Sequence, residues 1–372
     1  MTRTLDVVVA LDYYTPYVSG LTNVARDVAE GLAERGHRVT VVTSRHDPDL
    51  PEREVVRGVS VQRTPVLARL GKGVLSPALI GAVAAAAATA SVTNLHLPMP
   101  EAALLARRIR SPLVTTYHCD VTLPPGALNR AQILGVDLSS RRAVRRSDRV
   151  VVSSDDYARH SRLWPALAGR TAVIPPPCRE RPAGTPRFRE GPGLHVGFLG
   201  RIVEEKGLQY LVRGFQAIAE PDSRLLIGGD FAGVAGGSVV AELRQVIADD
   251  PRIRLLGFVP EEQLADLYAS LDVFALPSVN AFEAFGIVQV EAMMAGVPVL
   301  ASDLPGVRTP VQETGFGLVV PPRDVDGIAA ALRRLATEPQ DRAGGAARAR
   351  DRYASGTVVS AYEELLSTVA GP

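Results

Sequence analysis

Short unbroken apolar runs recur along this chain, and most are followed by stretches whose apolar residues fall three or four apart. Unbroken runs of this length mark strands buried on both faces, and the wider spacing marks helices with one core-facing side. Leu5–Leu11 is apolar but for Asp6, and Gly20–Arg35 sets Leu21, Val24, Val28 and Leu32 on one helical face. Gly36 then ends that helix as a left-handed cap would, and Arg38–Thr43 reads as the next strand. Further strands are expected at Val59–Arg63, Val92–Leu95, Leu113–Thr116, Arg149–Val152 and Thr171–Ile174. Strand–helix alternation of this kind predicts a largely parallel sheet with helices on both faces.

The pattern breaks at Pro175-Pro176-Pro177. From there to Gly193 the chain is rich in proline, glycine and charge and has no period, which reads as a domain linker. Alternation then restarts, with strands expected at His195–Leu199, Arg224–Ile227, Ile253–Leu256, Val273–Leu276, Val297–Ala301 and Gly317–Val320. The expected domains are therefore 1–178, a linker at 179–193, a second domain at 194–353 and a C-terminal helix at 354–372. That helix is amphipathic through Val358, Val359, Tyr362, Leu365 and Leu366, so it packs on a domain, and packing back on the first is one option. The fold class is α/β: two Rossmann-like domains of similar size with a cleft between them.

Composition narrows the picture. The chain has 372 residues, 46% hydrophobic and 22% charged, with a formal net charge of +1. These are the proportions of a folded soluble protein, and no global field points to nucleic acid. Val74 to Pro98 carries no charged residue and matches a bilayer span in length. Its centre is mostly alanine, and Ser76-Pro77 reads as a cap followed by proline at the first helical position, so a buried helix and a short strand are expected. Cys119 and Cys178 fit no zinc or redox spacing and suit a reducing compartment. The N-terminus enters a strand without a signal-peptide pattern, so a cytoplasmic protein is expected.

Candidate chemistry centres on Leu276 to Gly296, LPSVNAFEAFGIVQVEAMMAG. A loop runs into a helix near Gly286, and the unpaired amides of such a helix start suit a phosphate or diphosphate. Glu283 stays in the loop, whereas Glu291 lies inside the helix, eight positions on. Read alone, the stretch favours a surface loop and an amphipathic helix with two solvated acids. A second cluster follows the first strand of the second domain. Gly200 makes a turn, Arg201 follows, and Lys206-Gly207 opens a helix. Two cations at a strand's C-terminal end suit a diphosphate without a metal. On spacing alone, solvated cations paired with Glu204 and Glu205 explain that segment equally well.

Together, Gly200-Arg201, Lys206-Gly207, Pro277-Ser278, Glu283 and Glu291 around Phe285-Gly286, and Ala295-Gly296-Val297-Pro298-Val299 resemble the retaining nucleotide-sugar glycosyltransferases of family 4. Gly31 to Val39 and Leu256 to Val259 extend the resemblance over nearly the whole chain. It implies the two-domain GT-B fold, its domains facing each other across a deep cleft. It also implies that Arg201 and Lys206 bind the donor diphosphate, Glu291 the ribose and Glu283 the donor sugar. The N–H groups around Phe285, Gly286 and Ile287 would contact sugar and phosphate, and backbone near Phe258 and Val259 would flank the base. His118, in Tyr117-His118-Cys119-Asp120, would sit beside the donor sugar, with His96 ranked below it. The catalytic set is then Arg201, Lys206, His118 and Glu283, and Gly20 and Gly200 join the donor-binding set. The family commonly has two glycines before its first helix. Here Ser19 precedes Gly20, which limits the closeness of approach. Ile174-Pro175-Pro176-Pro177-Cys178 also departs from the family's Pro-Asn-Gly and suggests a stiffer entry to the linker.

Other signals are weaker. Asp324-Val325-Asp326 has the spacing of a metal-binding pair but precedes an apolar helix, so capping is expected. His118-Cys119-Asp120 lacks a fourth metal ligand. Gly228 to Gly237 does not open as a dinucleotide fingerprint and reads as a flexible loop. Arg141, Arg142, Arg145, Arg146 and Arg149 lie near a helix end, where cations suit the dipole, with a membrane-surface patch as the lesser reading. Arg63, Arg69 and Lys72, interleaved with Val66, Leu67 and Leu70, form a second weak candidate for lipid or acceptor contact.

The resemblance thus implies a retaining, metal-independent transferase that moves sugar from a nucleoside diphosphate sugar to an acceptor hydroxyl. The donor is a co-substrate and no cofactor is required. The acceptor is a small molecule or a lipid, nucleic acid is excluded, and membrane contact is at most peripheral, at the inner face. The alternatives are a GT-B-fold epimerase or hydrolase of the nucleotide sugar, or a non-catalytic nucleotide-sugar-binding protein.

Overall fold

The computed structural model describes residues 3–70, 73–230 and 239–371. The chain divides into two compact units. One comprises Met1–Pro177 with Ser355–Pro372, and the other comprises Cys178–Ala354.

In the first unit the strands are β1 (Asp6–Ala10), β2 (Arg38–Arg45), β3 (Arg53–Val56), β4 (Val59–Pro65), β5 (Ala68–Leu70), β6 (Gly73–Leu75), β7 (Val92–Leu97), β8 (Leu113–Tyr117), β9 (Arg149–Val152) and β10 (Thr171–Val173). Its helices are α1 (Gly20–Glu34), α2 (Pro77–Ala87), α3 (Ala102–Arg108), α4 (Ala127–Arg146), α5 (Asp155–His160) and α6 (Trp164–Leu167). Eight strands form one sheet in the order β10-β9-β8-β7-β1-β2-β4-β3, parallel except where β3 pairs antiparallel with β4 at the edge. The central strands β7 and β8 are buried at every position. The β3 strand and the antiparallel β5–β6 pair were not expected from the pattern. Arg53–Val56 is two charged residues followed by two valines at the sheet edge, so it has no apolar run long enough to reveal it.

The second unit contains β11 (His195–Leu199), α7 (Leu208–Gln216), β12 (Arg224–Gly228), α8 (Val240–Ile247), β13 (Ile253–Gly257), α9 (Leu264–Ala269), β14 (Val273–Leu276), α10 (Ile287–Met294), β15 (Val299–Ser302), α11 (Thr309–Thr314), β16 (Gly317–Val320), α12 (Val325–Thr337) and α13 (Arg342–Tyr353). Its six strands are all parallel, in the order β13-β12-β11-β14-β15-β16. From β11 the chain first builds outward through β12 and β13, then restarts on the other side with β14. The gap between the ends of β11 and β14 is thus the topological switch point, where open α/β sheets place ligands.

One boundary differs from the sequence reading, and the C-terminal helix takes the option of packing back on the first unit. The segment 179–193, expected as a linker, belongs to the second unit and is fastened along it. Thr185 N–H donates to Asp266 Oδ1 at 2.7 Å, Phe188 N–H to Ser270 Oγ at 3.0 Å, and Arg189 pairs with Asp272 at 3.0 Å. Its charges, which argued for a solvated tether, are ties to that unit. The last helix, α14 (Ser355–Ala370), belongs to the first unit and packs on α1, β7 and β8. Val358, Val359, Tyr362 and Leu366 are buried there, and Glu363 binds Arg35 at 2.7 Å and His37 at 3.2 Å.

Smaller features follow local chemistry. Ser76 stands at the α2 N-cap position before Pro77, but its hydroxyl caps nothing and donates to Pro65 O at 2.7 Å. Asp324 caps α12 by accepting from Gly327 N–H at 2.9 Å, which uses the Asp-x-Asp pair as a helix start. The run Val74–Pro98 divides into the end of the β5–β6 pair, α2 and β7. No helix among the described residues is long and apolar enough to cross a membrane. The glycine-rich run to Gly237 lies, from 231 on, outside the described residues, as does Lys72.

Candidate active site

At the switch point of the second unit, two loops are stitched together. Val279 N–H donates to Glu205 O at 2.9 Å. Gly207, at φ 64°, lies so close to the second loop that a Cβ there would fall 2.3 Å from Pro277 O. Only glycine fits this contact and this backbone angle. The contact draws Glu204–Lys206, a single 3-10 turn, against the segment after β14. Lys206 Nζ meets Glu283 Oε2 directly, and both side chains are mostly buried. Lys206 is therefore held by Glu283, from the other loop, whereas Arg201 pairs with Glu205 at 3.3 Å and remains 43% exposed. Of the two local acids named as partners, one takes Arg201 and neither takes Lys206.

The second loop ends at Gly286, the N-cap of α10, at φ 80°. A Cβ at this position would lie 2.3 Å from Leu276 Cδ2, so the helix can start this close to β14 only on glycine. The Phe285, Gly286 and Ile287 N–H groups find no acceptor among the described residues, as expected of a first helical turn. No acid occupies that turn. Free amides and the positive end of the helix dipole therefore lie in the same loop as Glu283, the acid that holds Lys206.

Glu291, one turn further along α10, is not a free acid. Arg181 Nη2 donates to its Oε1 at 3.1 Å and Tyr268 OH to its Oε2 at 3.0 Å. Burial raises its carboxyl above the usual range, with Arg181 pulling the other way. Arg181 also binds Glu261 at 2.7 Å, in the loop that carries Phe258 and Val259. One guanidinium thus ties the helix acid to that loop. Sequence reasoning missed Arg181, which lies in an aperiodic charged stretch where nothing singles out one arginine. Phe258 is 73% exposed, whereas Val259 is buried against Gly228.

In the first unit, His118 follows β8, and its Nε2 lies 2.9 Å from His96 Nδ1 on neighbouring β7. The rings stack at 5.2 Å. Burial lowers the His118 pKa to about 3 and that of His96 well below the ordinary value, so the pair is neutral at pH 7. The two histidines, ranked separately from sequence, form one hydrogen-bonded unit. Asp120 accepts from Ser161 Oγ at 3.0 Å and Arg162 N–H at 3.1 Å, which makes it an anchor for this loop. Before α1, Ser19 is the N-cap and its Oγ accepts from Thr22 N–H at 3.1 Å. A serine here thus fills a donor that a two-glycine loop leaves open, while Gly20 faces open space. Arg63, named as a lipid or acceptor contact, is instead buried and donates to Thr15 O at 2.9 Å and Pro51 O at 3.2 Å.

The chain matches known proteins along its length. Residues 19–177 match the family model described as glycosyl transferase 4-like domain, and residues 193–338 match glycosyl transferases group 1. A D-inositol 3-phosphate glycosyltransferase of Nocardiopsis dassonvillei is 30% identical over 91% of this chain and 86% of its own length. A phosphatidyl-myo-inositol mannosyltransferase of Mycolicibacterium smegmatis is 31% identical over 95% and 91%. Among solved structures, sucrose-phosphate synthase from Thermosynechococcus elongatus matches with a TM-score of 0.73 at 21% identity, over 96% of this chain and 97% of that one. Anabaena Alr3699/HepE in complex with UDP matches with a TM-score of 0.73 at 20% identity, over 98% and 100%. With its two parallel-sheet units and these relatives, the chain belongs to the family 4 glycosyltransferases of GT-B fold.

Proposed function

We propose that this glycosyltransferase takes its sugar from a nucleoside diphosphate sugar and passes it, with retention and without a metal, to an acceptor hydroxyl. The carrying observation is the switch-point cluster: Lys206 held by Glu283, beside a helix start at Gly286 whose amides have no acceptor. Departure of the diphosphate builds negative charge, and fixed donors aimed at that charge supply much of the catalysis. Lys206, Arg201 and the α10 amides provide positive charge at the leaving group. Glu283 holds Lys206 in position before the donor arrives. Once the diphosphate takes over Lys206, Glu283 turns to the sugar hydroxyls. Glu291 receives the ribose while Arg181 and Tyr268 keep its carboxylate oriented. His118, neutral at pH 7, acts as a hydrogen-bonding partner of the sugar and not as an acid. Relatives named for inositol phosphate and phosphatidylinositol acceptors support a polyhydroxylated acceptor, free or lipid-linked.

The test is turnover with excess EDTA and saturating donor. Wild type keeps its rate, and Lys206→Ala or Arg201→Ala loses roughly 100- to 1,000-fold, the cost of one catalytic donor. Proton NMR of the product shows the anomeric configuration of the donor. Inversion, dependence on a divalent metal, or near-wild-type turnover in both variants would each refute part of the proposal.

A further inference from the structure

The arginines of α4 are left unused by the proposed chemistry. This helix turns one side inward, burying Asp137, Ser139, Ser140, Ala143 and Val144. Its outward stripe carries Arg130 and then Leu134 and Leu138, exposed by 68% and 49%, with Leu128 exposed by 72% to one side. In the second half the same stripe becomes Arg142 and Arg145, followed by Arg146, all exposed. Helix α3 packs beside α4 and adds exposed Leu104, Arg107 and Arg108. The only acid in either helix is Asp137, buried and paired with Arg162 at 2.8 Å. None of these six outward arginines has a carboxylate partner among the described residues.

We infer that the α3–α4 face docks on an anionic lipid bilayer. Leucines on a helix lying in the interface enter the acyl boundary, while long arginine side chains reach up to phosphates. Unneutralised cations next to them are drawn by the surface potential of anionic lipid. A second copy of the chain fits poorly, since a parallel alignment sets cations against cations and an antiparallel one sets leucines against arginines, with no exposed acid in either helix to pair them. A folded acidic partner fits less well, because leucines and long cations along one helix match the acyl and phosphate layers of a bilayer. Helix α4 is the first helix after the loop carrying His118, so docking would bring that loop near the lipid surface.

Vesicle flotation of the full chain tests this, with phosphatidylcholine alone and with an equimolar mixture of phosphatidylcholine and phosphatidylglycerol. Wild type is expected to float with the mixed vesicles only, and less so as salt is raised. Leu134→Asp with Leu138→Asp, and separately Leu134→Asn with Leu138→Asn, should each cut the bound fraction about tenfold. Arg142→Gln with Arg145→Gln should cut it and flatten the salt dependence. All three carry exposed substitutions and should melt as wild type does. Wild type that ignores anionic vesicles, or leucine variants that bind undiminished, would overturn the inference. So would a dimer in sedimentation velocity that the leucine variants dissolve, since the face would then belong to a second copy.

Discussion

Arg181 decides how Glu291 behaves. A lone carboxylate as buried as this one would be costly, and the guanidinium and the Tyr268 hydroxyl offset that cost. Arg181→Ala should therefore weaken nucleoside diphosphate binding about tenfold, roughly 1.4 kcal/mol, although Arg181 need not touch the ligand. Glu291→Ala should weaken it at least as much. Glu283→Gln should leave that affinity unchanged or improve it, because Lys206 is released, and should still cut sugar transfer. Titration calorimetry on the three variants separates these roles, and equal losses in Glu283→Gln and Glu291→Ala would contradict them. The glutamates were legible from their place around Phe285-Gly286. Their partners were not, because pairing across loops depends on which strands are neighbours. His118 makes a different prediction. Its pKa is held near 3, below the ordinary 6.5, so the unfolded chain binds a proton that the folded chain refuses. Its contribution to stability is complete above about pH 6.5 and shrinks as pH falls toward 3. The melting midpoint should fall more steeply between pH 7 and pH 5 in wild type than in His118→Asn. Buried Asp12 and Glu101, whose carboxyls are raised, push the other way in both proteins and cancel from the comparison.

Among the elements, the central strands were the easiest to read. A strand buried on both faces is mostly apolar, so the valine run of β1 and the unbroken apolar run of β14 announce themselves. The edge strand β3 and the fastened segment 179–193 were hidden by the same cause. Charge and proline look alike whether they face solvent or bind a neighbouring surface. The amphipathic period of α14 showed that it packs but not where, because one apolar stripe fits many partners. Its docking on α1 carries a prediction. Val359 and Leu366 are buried side chains worth about 1.5–3 kcal/mol each. Val359→Asp should lower the melting midpoint of the first unit by several degrees and leave nucleoside diphosphate affinity unchanged. An unchanged midpoint would show that α14 contributes little to that unit.

At the scale of the molecule, net charge conceals more than it shows. A value of +1 gave no hint of the arginines gathered on α3 and α4, because acids elsewhere balance them. Family membership, in contrast, was legible throughout, since the spacing of Arg201, Lys206, Glu283 and Glu291 follows from sheet order. All four lie on the loop or helix after β11 or β14, the two strands that flank the switch point. The central claim is that this cluster is a nucleoside diphosphate site. Titration calorimetry of a panel of nucleoside diphosphates, with EDTA present, tests it most directly. The account predicts that at least one binds wild type in a one-to-one complex and binds Lys206→Ala at least about tenfold more weakly. Absence of binding across the panel, or an affinity indifferent to Lys206, would contradict it.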